Sequence, residues 1–93
     1  MIGIVKVYID EKPIYRVSEI GRVEESKYMS LTFADRGYIP RISRFKYHKV
    51  QLIYCCNGTI KASGKIITKG HKRRKNTLYL KVVKSMFEVK REV

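Results

Sequence analysis

The sequence predicts an all-β fold, mainly antiparallel: a small twisted sheet or partly open barrel of about 5–7 strands, with at most one short helix. Three observations carry this prediction. β-Branched and aromatic residues recur along the chain, while the i, i+3, i+4 spacing of an amphipathic helix is scarce. Asn57-Gly58 stands between two apolar runs, the strongest short-range signal for a hairpin. Proline occurs only at positions 13 and 40, so little else interrupts strand pairing.

IVKVYI (4–9) reads as a strand. A turn over Asp10–Pro13 leads into KPIYRVSEI (12–20), read as extended. Residues 18–25 also allow a short helix, which Gly21 interrupts. In KYMSLTF (27–33) the apolar residues alternate, placing Met29, Leu31 and Phe33 on one face. ADRGYIP (34–40) is turn-like, and RISRFKYHK (41–49) reads either as a helical turn or as irregular strand.

VQLIYCC (50–56) and TIKASGKII (59–67) are the arms of the Asn57-Gly58 hairpin. A two-residue turn sets Cys56 opposite Thr59, Cys55 opposite Ile60, Tyr54 opposite Lys61, Ile53 opposite Ala62 and Val50 opposite Lys65. Ile53, Cys55, Ile60, Ala62 and Ile66 then share the core face, with Gly64 at a bend. Val50, Leu52, Tyr54, Lys61, Ser63, Lys65 and Ile67 take the other face. A slip of one residue would bury the lysines, which specifies the register. In LYLKVV (78–83) the core residues are Leu78, Leu80 and Val82. Pairing even positions with even sets Ile66 opposite Leu80, Thr68 opposite Leu78, Ile67 opposite Tyr79, Lys65 opposite Lys81 and Gly70 opposite Asn76. His71–Lys75 remains as a loop with Arg73 at its apex.

The 93 residues suit a single small β domain over 1–93. Its core is thin, which favours a partner or a homodimer. The N-terminal IGIVKVYI and C-terminal MFEVKREV both read as edge strands for such a dimer. No apolar run approaches the ~20 residues of a membrane span, and no cationic start precedes a long apolar region. The expectation is an intracellular, cytoplasmic protein without a membrane partner. Cys55 and Cys56 are neighbours on a strand and point to opposite faces, so a disulfide between them is not expected. With only His48 and His71 as further borderline ligands and no Cys-x-x-Cys pair, neither a metal nor a cofactor is expected.

Charge is distributed unevenly. Residues 1–35 carry five Lys/Arg and six Asp/Glu, whereas 36–93 carry sixteen Lys/Arg and two Asp/Glu. Between Asp35 and Glu88 there are fourteen cations and no acid. Such a block repels itself and points to a polyanionic partner, of which nucleic acid, DNA or RNA, is the commonest. The expected contacts are the cationic finger Lys72, Arg73, Arg74 and Lys75, and the sheet residues Lys61, Lys65, Lys69 and Lys81. Tyr54 and Tyr79 interleave as stacking positions, and Arg41 and Arg44 lie earlier in the basic block. The function read from this pattern is a small nucleic-acid-binding protein, a regulator or chaperone-like binder.

No Gly-rich phosphate loop, nucleophile elbow or zinc motif is present, so no catalytic residue is assigned. A small ribonuclease using His48 and His71 is the enzymatic alternative. Docking of the basic face on an acidic protein, as by a virus- or plasmid-encoded inhibitor, is another. The stretch RGYIPRISRF (36–45), with Gly37, Ile39, Pro40, Ile42 and Arg44, loosely resembles the Gly-x-Ile…Pro…Ile-x-Arg stretch of AbrB-like swapped-hairpin transcription factors. That resemblance implies a dimeric DNA-binding regulator or antitoxin. The stretch is one residue short before the proline and lacks a Gly-Asp ahead of Val50.

Overall fold

A computed structural model of the chain describes residues 3–23 and 27–89. Among them are seven strands: β1 (Gly3–Ile9), β2 (Lys12–Ile14), β3 (Val17–Val23), β4 (Tyr28–Phe33), β5 (Tyr47–Cys56), β6 (Thr59–Arg74) and β7 (Thr77–Val89). One 3-10 turn, Arg36–Tyr38, is the helical content of the described residues, and Asp35 Oδ1 caps it by accepting from the Gly37 amide at 2.8 Å. All pairings are antiparallel, and the single sheet runs β2-β1-β5-β6-β7-β4-β3. No helix of the described residues is long and apolar enough to cross a membrane.

The curvature has a simple covalent cause. β2 and β3 lie at opposite edges of the sheet yet are joined only by Tyr15 and Arg16. A connection that short spans at most about 11 Å, so the two edges must come together. Arg16 makes the step at φ 61, and its carbonyl accepts from the Ala34 amide at 2.8 Å. The sheet is thereby curled into a half-barrel whose concave face is its own core. Met29, Leu31, Phe33, Val7, Ile9, Val50, Ile66, Leu78 and Leu80 are buried there, with Ile39 from the 34–46 connection. The alternation in 27–33 is realised fully, because β4 lies between β3 and β7 and buries one face only.

The Asn57-Gly58 turn forms as expected, with φ 52 and 75, and sets Cys56 opposite Thr59 and Cys55 opposite Ile60. The register beyond it is corrected by a bulge at Lys61: Tyr54 faces Ala62, Ile53 faces Ser63 and Val50 faces Ile66. The core face of β5 is therefore the even one. Val50 and Cys56 are buried, Ile53 and Cys55 are half-buried, and Ile60 is exposed. The physical reason lies in β1, which aligns Ile9 with Val50 and Val7 with Leu52. The bulge brings Ile66 into that apolar row in place of Lys65. Both cysteines are free.

The final hairpin is corrected too. Its turn is Lys75-Asn76, with Arg74 opposite Thr77, so Lys72–Arg74 are strand and not loop. Two further bulges set its register. Val83 is extra on β7, so Ile66 faces Ser85, Ile67 faces Lys84 and Lys65 faces Met86. Lys69 and Gly70 together stand against Lys81, with Gly70 at φ 89. Lys65 and Lys81 are thus not opposed; Lys81 faces Tyr28 of β4. The helix allowed over 18–25 is instead strand through Val23, with the rest outside the described residues. Gly21 serves a close approach there: a Cβ at this position would lie 2.5 Å from Ser30 Oγ. Of the two proposed edges, Gly3–Lys6 has no partner on its outer side among the described residues, because β2 reaches only Val7–Ile9. β7 pairs with β4 no further than Lys81. Residues 90–93 lie outside the described part.

Candidate nucleic-acid interface

The bulge at Gly70 decides where the basic residues point. Thr68 faces the core opposite Val82, and after the extra residue His71 and Arg73 face the concave side opposite Leu80 and Leu78. Lys72 and Arg74 consequently turn outward with Tyr79 and Thr77. Glycine tolerates the positive φ that such a bulge requires at little cost. The four cations read as one finger therefore divide: Lys72 and Arg74 on the convex face, Arg73 on the concave, Lys75 in the turn at φ 54.

On the convex face the registers gather a broad basic surface. Lys65, Lys69, Lys72 and Arg74 run along β6, and Lys81 and Lys84 lie beside them on β7. All six are exposed, and none is paired with a carboxylate among the described residues. Tyrosines interleave. Lys72 Nζ lies 5.1 Å from the centre of the Tyr28 ring, and Lys69 Nζ 4.7 Å from that of Tyr47. Tyr79 sits between Ser30 and Lys72. Lys49 shares this face but is engaged by Glu11 at 3.1 Å. Lys61 occupies its bulge, away from this row. Tyr54 is exposed, but it lies on the opposite face, beside Val5 and Ala62. Tyr54 and Tyr79 are thus not one stacking surface.

Arg41 and Arg44 belong elsewhere. With Pro40, Ile42, His71 and Arg73 they line a cleft of about 520 Å³ at the concave side of the hairpin. Burial first, then the charges of Arg44, His48 and Arg73, push His71 below its usual 6.5. Its Nδ1 is buried with no hydrogen-bond partner among the described residues.

His48, the other imidazole, is structural. It is 7% exposed, its Nε2 donates to the Ser43 carbonyl at 2.6 Å, and its Nδ1 donates to Asp10 Oδ2 at 2.6 Å. Asp10 Oδ1 also accepts from the Lys49 amide at 2.9 Å. Burial alone would raise the Asp10 carboxyl, but these hydrogen bonds and the charges of His48 and Lys49 hold it below 3.8. The pair fastens the β1–β2 turn and the 34–46 connection to β5, which is how Arg41 and Arg44 are held near Arg73.

Sequence reasoning missed Lys84, Tyr28 and Tyr47 as members of the basic face. Gly70 was the available signal, since a glycine inside a strand pattern marks a bulge and hence a change of phase. It also missed Phe45, 82% exposed beside Arg44. The AbrB-like positions fall in the 3-10 turn (Gly37) and the irregular stretch after it (Ile39, Pro40, Ile42, Arg44). Comparison of the chain with protein-family models, curated proteins and solved structures finds no match.

Proposed function

We propose that this protein binds nucleic acid along its convex sheet face, as a regulator or chaperone-like binder. The observation that carries this reading is the set of six cations with no carboxylate partner among the described residues, Lys65, Lys69, Lys72, Arg74, Lys81 and Lys84, interleaved with Tyr28, Tyr47 and Tyr79. Like charges on adjacent strands repel, and a phosphate backbone relieves that repulsion. From Lys65 to Arg74 the row extends about 30 Å, long enough to follow several phosphates. The tyrosines offer ring area for unpaired bases.

The test is a binding panel of duplex DNA, single-stranded DNA and structured RNA, each titrated against salt. At least one is expected to bind with log affinity falling linearly against log salt. Lys72→Ala with Arg74→Ala should reduce the magnitude of that slope by about 1–2 for every sequence, each lost phosphate contact counting for somewhat less than one. Failure of all three probes to bind at low salt overturns the reading and leaves an acidic protein as the partner. A homodimer joined at Gly3–Lys6 or Val83–Val89, edges without an outer strand partner among the described residues, belongs to the same proposal. A monomer in sedimentation at tens of micromolar would remove it.

A further inference from the structure

The cleft of Arg41, Arg44, His71 and Arg73 lies on the face opposite the proposed nucleic-acid track, and it has its own chemistry. We infer that it is a binding site for a phosphate monoester, supplied by the terminal phosphate of a nucleic-acid strand. The source of the phosphate rests on the proposed function; the chemistry of the cleft does not.

Arg41, Arg44 and Arg73, from two distant chain segments, line this cleft, with no carboxylate among its described lining residues. Their mutual repulsion is imposed by the fold: Ile39 and Ile42 pack on the core, His48 holds the Ser43 carbonyl, and the Gly70 bulge turns Arg73 inward. Three positive charges exceed what one bridging phosphodiester can neutralise. A terminal phosphate carries up to two charges and three free oxygens, and guanidinium forks pair with such oxygens two at a time. His71 adds a group that responds to the ligand. Its ring lines the cleft, and its buried Nδ1 has no hydrogen-bond partner among the described residues. An anion in the cleft would offset the positive charges that now disfavour ring protonation. The cleft is larger than a phosphate alone, and the apolar walls from Pro40 and Ile42 leave room for the attached sugar.

Two measurements on the whole protein test the site. In the first, the His71 ring resonances are followed by NMR during titration with inorganic phosphate and with a nucleoside monophosphate. Both ligands are expected to shift them and to move the His71 titration midpoint upward. In the second, otherwise identical oligonucleotides bearing a 5′-phosphate, a 3′-phosphate or neither are compared at fixed salt. One phosphorylated end is expected to bind about tenfold more tightly. Arg44→Gln should abolish that preference while leaving the unphosphorylated oligonucleotide within about twofold. Lys84→Ala should weaken all three oligonucleotides alike. Tight oligonucleotide binding with no end preference and unmoved His71 resonances overturns the cleft as a phosphate site and leaves the convex-face reading intact. His71 shifts with phosphate, without any oligonucleotide binding, keep the site and overturn the nucleic-acid source.

Discussion

The two ends of β6 are opposites. At Thr59 the strand leaves the Asn57-Gly58 turn, with open space around Gly58 and with Ile4, Val5, Tyr54 and Ile60 exposed nearby. At Arg74 it enters the Lys75-Asn76 turn, which is tied to the end of β4. The Phe33 amide donates to the Asn76 carbonyl at 2.8 Å, and Asn76 Nδ2 donates to the Phe33 carbonyl at 2.7 Å. The first end is held by its turn and by the pairing of β1 with β5, the second by ties to β4 and the core beneath it. Charge explains why the second needs that support. Lys72–Lys75 would splay a free loop apart, whereas a strand over Leu78 and Leu80 holds the four cations in fixed directions.

If that contrast is right, the largest effect comes from the core under the basic end. Leu78 is fully buried opposite Arg73, so Leu78→Ala should lower stability by about 3 kcal/mol in chemical denaturation. Ile60→Ala at the free end, where the side chain is 40% exposed, should cost under about 1 kcal/mol. Equal losses at the two positions would erase the distinction.

Gly58→Val sharpens the contrast at the turn. A Cβ there would meet no described atom within 4 Å, yet φ 75 is strained for a β-branched residue, so a loss of about 1–2 kcal/mol is expected. Because the strain is local to the free end, binding at the basic end should persist in the folded variant. A melting temperature equal to that of the parent would count against the turn and the register built on it.

The smallest effects are pH-dependent and concern what anchors the basic end. Asp10 is held below 3.8 in the folded state, so its contribution is present above about pH 4 and is lost as pH falls through the folded value. Asp10→Asn should therefore flatten the acid limb of stability against pH. His71 acts in a separate window. Its folded value lies below 6.5, so the unfolded chain binds more protons and stability declines as pH drops through 6.5. His71→Gln should remove that decline and leave the acid limb unchanged. Guanidinium melts at pH steps from 3 to 8 would separate the two; a curve unaltered by either substitution would show that neither group is coupled to folding.

How much of this was legible in the chain can be judged residue by residue. Met29, Leu31 and Phe33 announced their buried face because β4 is regular and one-sided. Leu78, Leu80 and Val82 did so for the same reason, and Asn57-Gly58 specified its turn through the rarity of positive φ. A period of two carried across a bulge puts Ile53, Cys55 and Ile60 on the core face and makes the basic tip a loop, and the structure reverses both. A single extra residue reverses every later side chain. Nothing in Lys61 or Val83 by itself announces a bulge, whereas Gly70 did carry a hint.

Local chemistry thus determined the all-β class, the Asn57-Gly58 turn and the concentration of positive charge after residue 35, since these depend on φ preferences, alternation and composition. Only the tertiary structure decided which cations share a face and which converge in the cleft. The first depends on where bulges let Val50 and Ile66 be buried together. The second depends on a two-residue connection that closes the sheet and on the Asp10–His48 pair that fastens the 34–46 connection over it. Those are packing solutions shared among residues far apart in the chain, and such solutions leave no local periodicity to read.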